Sequence, residues 1–508
     1  MKPTIAVAVL LFSFVAAPAR AQDCGCDHQL DVDVTVFDGA ESSVSPGDVV
    51  CVMAGERELL RLRHLAGTPE APITVINCGG RAVIRNTERA YALVVEDDSH
   101  DFRITGTGDP DHEYGFDISA PDRDPYPGVG VWLVGRSTRY EVDHLEIHDT
   151  GFAGVSAKTD PVCDGSADQG VFVQESTHLH HLWIHDTGGE GFYIGSTQSD
   201  GQTINCDGAP EVHQPHFLDG VEVHDNLIED TGWDGAQIGM ARTGCRFYRN
   251  TIRRVGLAGE EFQMQGLQIG TFSACEVFSN VIEEGPANGI IILGADDTFV
   301  HSNRIVGFTM ADGIYANARD VIAGARYRFA FNTIEGWDRA GITVFGPGLG
   351  PSEAVSNLLI GDGAGVTAGG DVDWSEDGNV VVATHAEGGF SGPGAWYLAE
   401  DSVARGAGVA VDGVEIDLDG YPRADPPSAG AYEYREPGVD AGPPIGPPPP
   451  SDAGPRPDGG SVALGEDGGS SGAPAGDGCT CRAAPGGVTP GWLALIALAL
   501  LARRCRRE

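Results

Sequence analysis

The sequence predicts an all-β fold, a solenoid of short strands wound as a parallel β-helix, and two repeating patterns predict it. The first is an Asn that returns in one local setting, at Asn226, Asn250, Asn280, Asn303, Asn332 and Asn357, with spacings of 24, 30, 23, 29 and 25 residues. A period in that range marks a stacked repeat. The second is a Gly-led apolar tripeptide that falls between those Asn positions, beginning with Gly154-Val155-Ser156-Ala157 and ending with Gly341-Ile342-Thr343-Val344.

Around each Asn the residues alternate in polarity and are broken by Gly, which predicts short strands joined by turns. One coil of this kind cannot bury its inner face alone, so coils stack and share a continuous core. The repeated Asn then forms a buried ladder, each amide bonded to those above and below. In the Gly-led strands, side chains alternate between faces. Val155, Phe192, Ala236, Leu267, Ile290, Ile314 and Ile342 are predicted to point inward, and Ser156, Tyr193, Gln237, Gln268, Ile291, Tyr315 and Thr343 to form one outward column.

The chain divides into four parts. Residues 1–21 carry Lys2, an apolar run from Ile5 to Ala17 and Ala19-Arg20-Ala21, the zones of a cleavable secretory leader. Residues 22–435 are the repeat body. Residues 436–478 hold ten Pro and twelve Gly, too little apolar surface to pack, and are expected to be a disordered stalk. Residues 479–508 carry Cys479-Thr480-Cys481, an apolar stretch from Trp492 to Ala502, and Arg503, Arg504, Arg506 and Arg507. At ~1.5 Å per residue that stretch spans only about half of a ~30 Å hydrocarbon layer. The layout resembles the MYXO-CTERM sorting tail of myxobacterial surface proteins, which implies processing near Cys479 or Cys481 and an address at the outer membrane or cell surface.

A formal charge of -42 argues against nucleic acid as a partner, because a phosphate backbone needs a basic footprint. Eight of the 11 Cys lie between Cys24 and Cys275, and in an exported chain they are expected to pair. Cys245 and Cys275 each stand five residues before a ladder Asn, which stacks them within disulfide reach. Cys163 and Cys206 fall in two long insertions that a bridge would tie together, and Cys51 is expected to pair with Cys78 near the N-terminal end.

The two patterns resemble the pectin-lyase-like superfamily of right-handed parallel β-helices. Pro46-Gly47-Asp48-Val49-Val50 with 67–75 is similar to the first coils of its polysaccharide lyases, and 419–423 with 429–434 to a common ending. The resemblance implies a single-stranded right-handed parallel β-helix and a polysaccharide partner. Tyr114-Gly115-Phe116-Asp117 resembles part of a mannuronan epimerase motif, but Ile118 and Ser119 stand where that motif has Pro and His.

Candidate chemistry is expected at irregular coils, because loops on a rigid scaffold carry function. Insertions 157–170 and 195–217 are the longest departures from the period, and nine of the 15 His fall between His144 and His224. Tyr193, Gln237, Gln268 and Tyr315 suit sugar faces and hydroxyls and are the expected substrate-binding residues. Lys158 shares the face of Ser156 and is the only lysine left after leader removal, so it is the expected catalytic base of a β-eliminating lyase, on an exposed side chain. Glu190, Asp234, Asn288 and Asp312 each precede the Gly of a groove strand. Either they are turn residues, or the carboxylates of Glu190, Asp234 and Asp312 hold a hard cation such as calcium. His148-Asp149-Thr150-Gly151, its echo 185–188 and 229–232 read as one structural turn repeated. Two functions fit: an exported protein that binds and cleaves an acidic polysaccharide, or a non-catalytic surface adhesin that only binds glycans.

Overall fold

A computed structural model describes residues 24–436, apart from 123–126, 320, 370 and 393. The leader, nearly all of the stalk and the sorting tail lie outside the described residues. The described chain is a right-handed parallel β-helix. A typical coil runs Cys245–Tyr248, Asn250, Thr251–Arg253 and Leu267–Ile269. Its first two strands join a 24-stranded sheet and its third joins a 12-stranded sheet. Paired strands are parallel throughout, except for one hairpin, Gln202–Cys206 with Ala209–His213, which stands out from the stack.

The register of the smaller sheet follows the sequence pattern. Ser156 pairs with Tyr193, Tyr193 with Gln237, Gln237 with Gln268, Gln268 with Ile291, Ile291 with Tyr315 and Tyr315 with Thr343. The seven inward residues flanking this column are fully buried.

The Asn ladder forms as expected and runs one coil further, to Asn379. Asn226 Nδ2 donates to Asn250 Oδ1 at 2.9 Å, and each following Asn repeats this at 2.9–3.1 Å. The same Oδ1 accepts the backbone N–H of the previous Asn, as Asn280 Oδ1 does from Asn250 at 2.9 Å. The second Nδ2 hydrogen goes to a strand carbonyl, such as Val223 O from Asn250 at 2.9 Å. The residue before each ladder Asn is left-handed, and only the last, Gly378, is Gly; φ is near 55° at Asp225, Arg249, Ser279, Ser302, Phe331 and Ser356. That conformation costs roughly 1–2 kcal/mol per residue, and the ladder bonds offset it.

Two of the expected disulfides are present. Cys245 and Cys275 are register partners 4.5 Å apart at Cα, and Cys163–Cys206 ties the two insertions. The N-terminal expectation is corrected: Cys51 bonds Cys26, and Cys78 bonds Cys24. The register explains it, because Cys51 sits opposite Ile76 while Cys78 sits opposite Met53, two residues along. The segment before His28–Leu30 lies over both and supplies the partners.

After the last strand, Val380–Val382, and a short helix, His385–Gly388, the chain turns back along the larger sheet. Gly430 N donates to Ser356 O at 2.8 Å and Ala431 N to Thr333 Oγ1 at 2.8 Å. Arg423 lies over the Phe331 ring at 3.8 Å and Arg304 over Trp396 at 5.0 Å.

The ladder makes a stability prediction. Asn280→Ala orphans the Asn250 N–H, the Asn250 amide and the Phe247 carbonyl, at about 1–3 kcal/mol for each buried unmet group. Denaturant unfolding should show a loss of roughly 3 kcal/mol or more, against a much smaller loss for the exposed-surface control Thr203→Ala.

Candidate functional site

The outward column is not open along its length. Ser156 and Gln237 are only 2 % exposed, whereas Tyr193, Gln268, Ile291 and Tyr315 are half-buried. The column opens into a cleft of about 560 Å³ over Gln268, Ile291 and Tyr315. One wall is the 261–265 segment, and Met310, Arg319 and Arg339 close the other side. Phe262 and Met310 stand 76 % and 59 % exposed at this rim, so the cleft offers apolar surface to a ligand. Asn317 Nδ2 donates to the Tyr315 hydroxyl at 3.3 Å, and the Arg339 guanidinium lies 5.6 Å from the centre of the Tyr315 ring.

Of the expected binding residues, the structure brings Gln268 and Tyr315 together in this cleft. Tyr193 and Gln237 lie two and one coils beyond Gln268 on the same column, with Gln237 buried. Phe262, Met310, Arg319 and Arg339 were not expected from the sequence.

Lys158 is corrected in its setting. It is 9 % exposed rather than open, with Nζ 2.9 Å from Asp160 Oδ1 and 4.6 Å above the Tyr193 ring. Gln202 Nε2 completes the set by donating to Asp160 Oδ1 at 3.1 Å. Burial alone would lower the amine, but the Asp160 carboxylate and Tyr193 outweigh it and hold Lys158 above the usual lysine range. The expectation erred because spacing gives a side chain's face, and what an inserted loop lays over that face is set by tertiary packing.

The residues before the groove glycines form a second buried ladder. Gln265 N donates to Asp234 Oδ1 at 2.6 Å, Asn288 N to Gln265 Oε1 at 3.0 Å, Asp312 N to Asn288 Oδ1 at 3.1 Å and Ala340 N to Asp312 Oδ1 at 3.0 Å. The three carboxylates do not converge on one cation. Asp312 lies three coils from Asp234, ~14 Å at the ~4.8 Å strand spacing, and pairs with Arg339 at 2.5 Å. Glu190 and Asp234 occupy adjacent coils and are buried, each with one carboxyl oxygen that lacks a partner among the described residues. Burial pushes the Glu190 carboxyl up to about 7 and raises Asp234 well above its usual range, with Glu190 adding to the latter. A pair held toward the protonated form suits a shared proton better than a hard cation, which needs ionised oxygens.

The repeated His-Asp turns behave as turns. Asp149, Asp186 and Asp230 are left-handed at φ 47–56°, one per coil. Asp117, in the epimerase-like tetrapeptide, belongs to the larger sheet, with His148 Nε2 3.0 Å away, and so is not on the groove column.

No family model matches this chain, and no curated protein matches it. Solved structures do. The A-module of a mannuronan C-5 epimerase from Azotobacter vinelandii is 12% identical over 66% of this chain and 87% of its own, with a TM-score of 0.41. A pectate lyase is 12% identical over 82% of this chain and 99% of its own, with a TM-score of 0.38. A lacto-N-biosidase from Eubacterium ramulus is 14% identical over 67% of this chain and 63% of its own, with a TM-score of 0.42. Likeness of this degree concerns the course of the backbone. The chemistry of the cleft rests on its own side chains.

Two measurements check the buried groups. Lys158→Ala leaves Asp160 without its cation in a desolvated place, so it should cost on the order of 3–5 kcal/mol. Lys158→Met with Asp160→Asn should recover most of that in thermal unfolding. For Glu190, a folded-state value raised above the ordinary 4.5 means that its contribution is fully present below pH 4.5 and is lost as pH rises through about 7. Glu190→Gln should therefore raise Tm relative to the parent at pH 8 and change it little at pH 4.

Proposed function

We propose that this protein is exported and held at the cell surface, and that it binds and processes an acidic polysaccharide in the cleft over Gln268 and Tyr315. The observation that carries the reading is the composition of that cleft. In a chain of net charge -42 it sets two guanidinium groups, Arg319 and the Asp312-paired Arg339, against a single carboxylate, Glu261, and beside an exposed aromatic ring, a tyrosine hydroxyl and an amide. Guanidinium pairs with carboxylate in a fixed fork, apolar sugar faces rest on Phe262 and Met310, and Gln268 and Tyr315 meet hydroxyls. Four disulfides among the described residues support an oxidising compartment. The leader-like and MYXO-CTERM-like ends support export and surface retention.

The processing step assigned here is β-elimination. Tyr315 replaces Lys158 as the group at the reacting carbon, since the Lys158 amine is engaged by Asp160. With the uronate carboxylate held by arginine, a deprotonated Tyr315 oxygen takes the C5 proton, and the electron pair left at C5 forms the C4–C5 double bond as the C4–O glycosidic bond breaks. The same proton then passes from the Tyr315 hydroxyl to the leaving oxygen, which restores the base. Calcium, if it takes part, enters with the substrate carboxylates and not through a Glu190, Asp234 and Asp312 cage.

A second reading, glycan binding without cleavage, is favoured by the burial of Lys158 against Asp160, which takes the expected base out of reach of a substrate. The purified mature protein titrated with pectate and alginate, and followed for the ultraviolet absorbance of unsaturated uronates, separates the two. Arg319→Gln should weaken binding by about tenfold or more, the worth of one charge-assisted contact at ~1.5–3 kcal/mol, and the parent's affinity should fall with salt. Tyr315→Phe should abolish product while leaving affinity within about threefold, because only the hydroxyl is lost. Binding without product in the parent would leave the adhesin reading, and no binding to either polymer would overturn both.

A further inference from the structure

The histidines that the cleft does not use gather at one corner of the larger sheet. Three successive coils each place two adjacent polar residues at the bend before the next strand: Asp143 and His144, His180 and His181, then His224 and Asp225. The second member of each pair is left-handed, at φ 59°, 53° and 55°. That turns its side chain back toward the first, so the two ring nitrogens of His180 and His181, both Nδ1, face each other at 2.7 Å. His224 Nδ1 lies 2.7 Å from Asp225 Oδ2. Between coils the rings stack, His144 on His181 at 5.0 Å and 7° and His180 on His224 at 4.7 Å and 6°.

We propose that this corner binds a borderline divalent metal ion of the Zn2+ type through His181, His224 and Asp225, with His180 as the adjoining fourth donor. Donor atoms of the first three already lie within 4.8 Å of one another. Imidazole–zinc bonds of ~2.0–2.1 Å would draw them to roughly 3.3 Å apart, a shift that side-chain rotation covers. At 2.7 Å the two imidazole nitrogens hold a proton between them, which a metal ion would displace. His180 is also oriented from behind, with Nε2 3.1 Å from Glu141 Oε1, the outer carboxylate arrangement that fixes a metal-ligating histidine.

The donors differ in their other engagements. Asp143 is taken by Arg103 Nε at 2.7 Å and Thr105 Oγ1 at 2.6 Å, and so stays outside the set. Asp225 is shared with Arg249, whose Nε donates to Oδ1 at 2.7 Å. Arg249 therefore competes with the metal for one carboxylate. His181 is exposed, and the His180 and His224 rings are part-exposed at 14 % and 17 %, so an ion can enter from solvent.

Titration of the tag-free mature protein with Zn2+ by calorimetry tests this, with Co2+ absorbance as a second readout of tetrahedral nitrogen ligation. One saturable site and a rise in Tm with metal are expected, since the ion would join two coils in the folded state alone. His181→Asn, which keeps a residue tolerant of the left-handed bend, should weaken binding by about tenfold or more. Arg249→Gln should tighten it by removing the competing cation. His213→Ala, at a separate His and acid grouping beside Cys206, should leave it unchanged. Absence of a saturable site, a site that survives His181→Asn together with His224→Ala, or one that vanishes with His213→Ala would overturn the proposal.

Discussion

Everything in this molecule follows from the ~4.8 Å distance at which one coil repeats above another. At that spacing each side chain meets its own counterpart, so a position is stable only if its residue tolerates a copy of itself or of a complement. An amide does so because it carries both donor and acceptor, and the ladder from Asn226 to Asn379 is the result. Flat rings do so by stacking, as in His180, His224, Tyr248, Phe278 and His301. Like charges do not. On the outer faces, acids of one coil meet arginines of the next, as Asp225 meets Arg249, Glu229 meets Arg253, Asp230 meets Arg254 and Arg328 meets Glu353. Lateral pairing of this kind lets a strongly acidic chain stack without mutual repulsion.

The exception defines the interesting region. Glu190 and Asp234 stack with no arginine between them, and Lys158 nearby is committed to Asp160. The protein tolerates the two acids by keeping them out of water and toward the neutral form. Asp160 and Gln202, one from each of the disulfide-tied insertions, hold Lys158 beside the pair, where its charge offsets part of the effect of burial on Glu190. Beyond that buried stretch the same column emerges as the cleft, where Gln268 and Tyr315 are accessible. Closed and open halves of one strand face therefore adjoin.

The periodic part of this was legible in the sequence because period and face are local properties. Ladder positions, the inward and outward columns and the Cys245–Cys275 bridge all depend on counting along the chain. The cleft depended on what the irregular residues do, and counting ranks insertions by length only. The longest ones turned out to enclose Lys158 through Asp160 and Gln202. The shorter excesses in the 30- and 29-residue spacings, before Asn280 and Asn332, supply Phe262, Met310 and Arg319 to the cleft, so the signal for its walls was present in the intervals. The N-terminal cysteines failed for a related reason: pairing there is set by a segment laid across the first coils rather than by register within them.

The closing segment has a mechanical consequence. A stack of coils with a free last turn can be unwound one turn at a time, each step breaking only a few bonds. Here residues 430 and 431 are bonded to Ser356 and Thr333, and Arg423 is lodged against Phe331, one and two coils back from the final strand. A pull on residue 436 would first meet this strap, held across several turns in parallel, before it reached the last turn. The geometry converts peeling into shear, the direction in which hydrogen-bonded strands share load best, as suits a body that has to stay wound while something draws on its end.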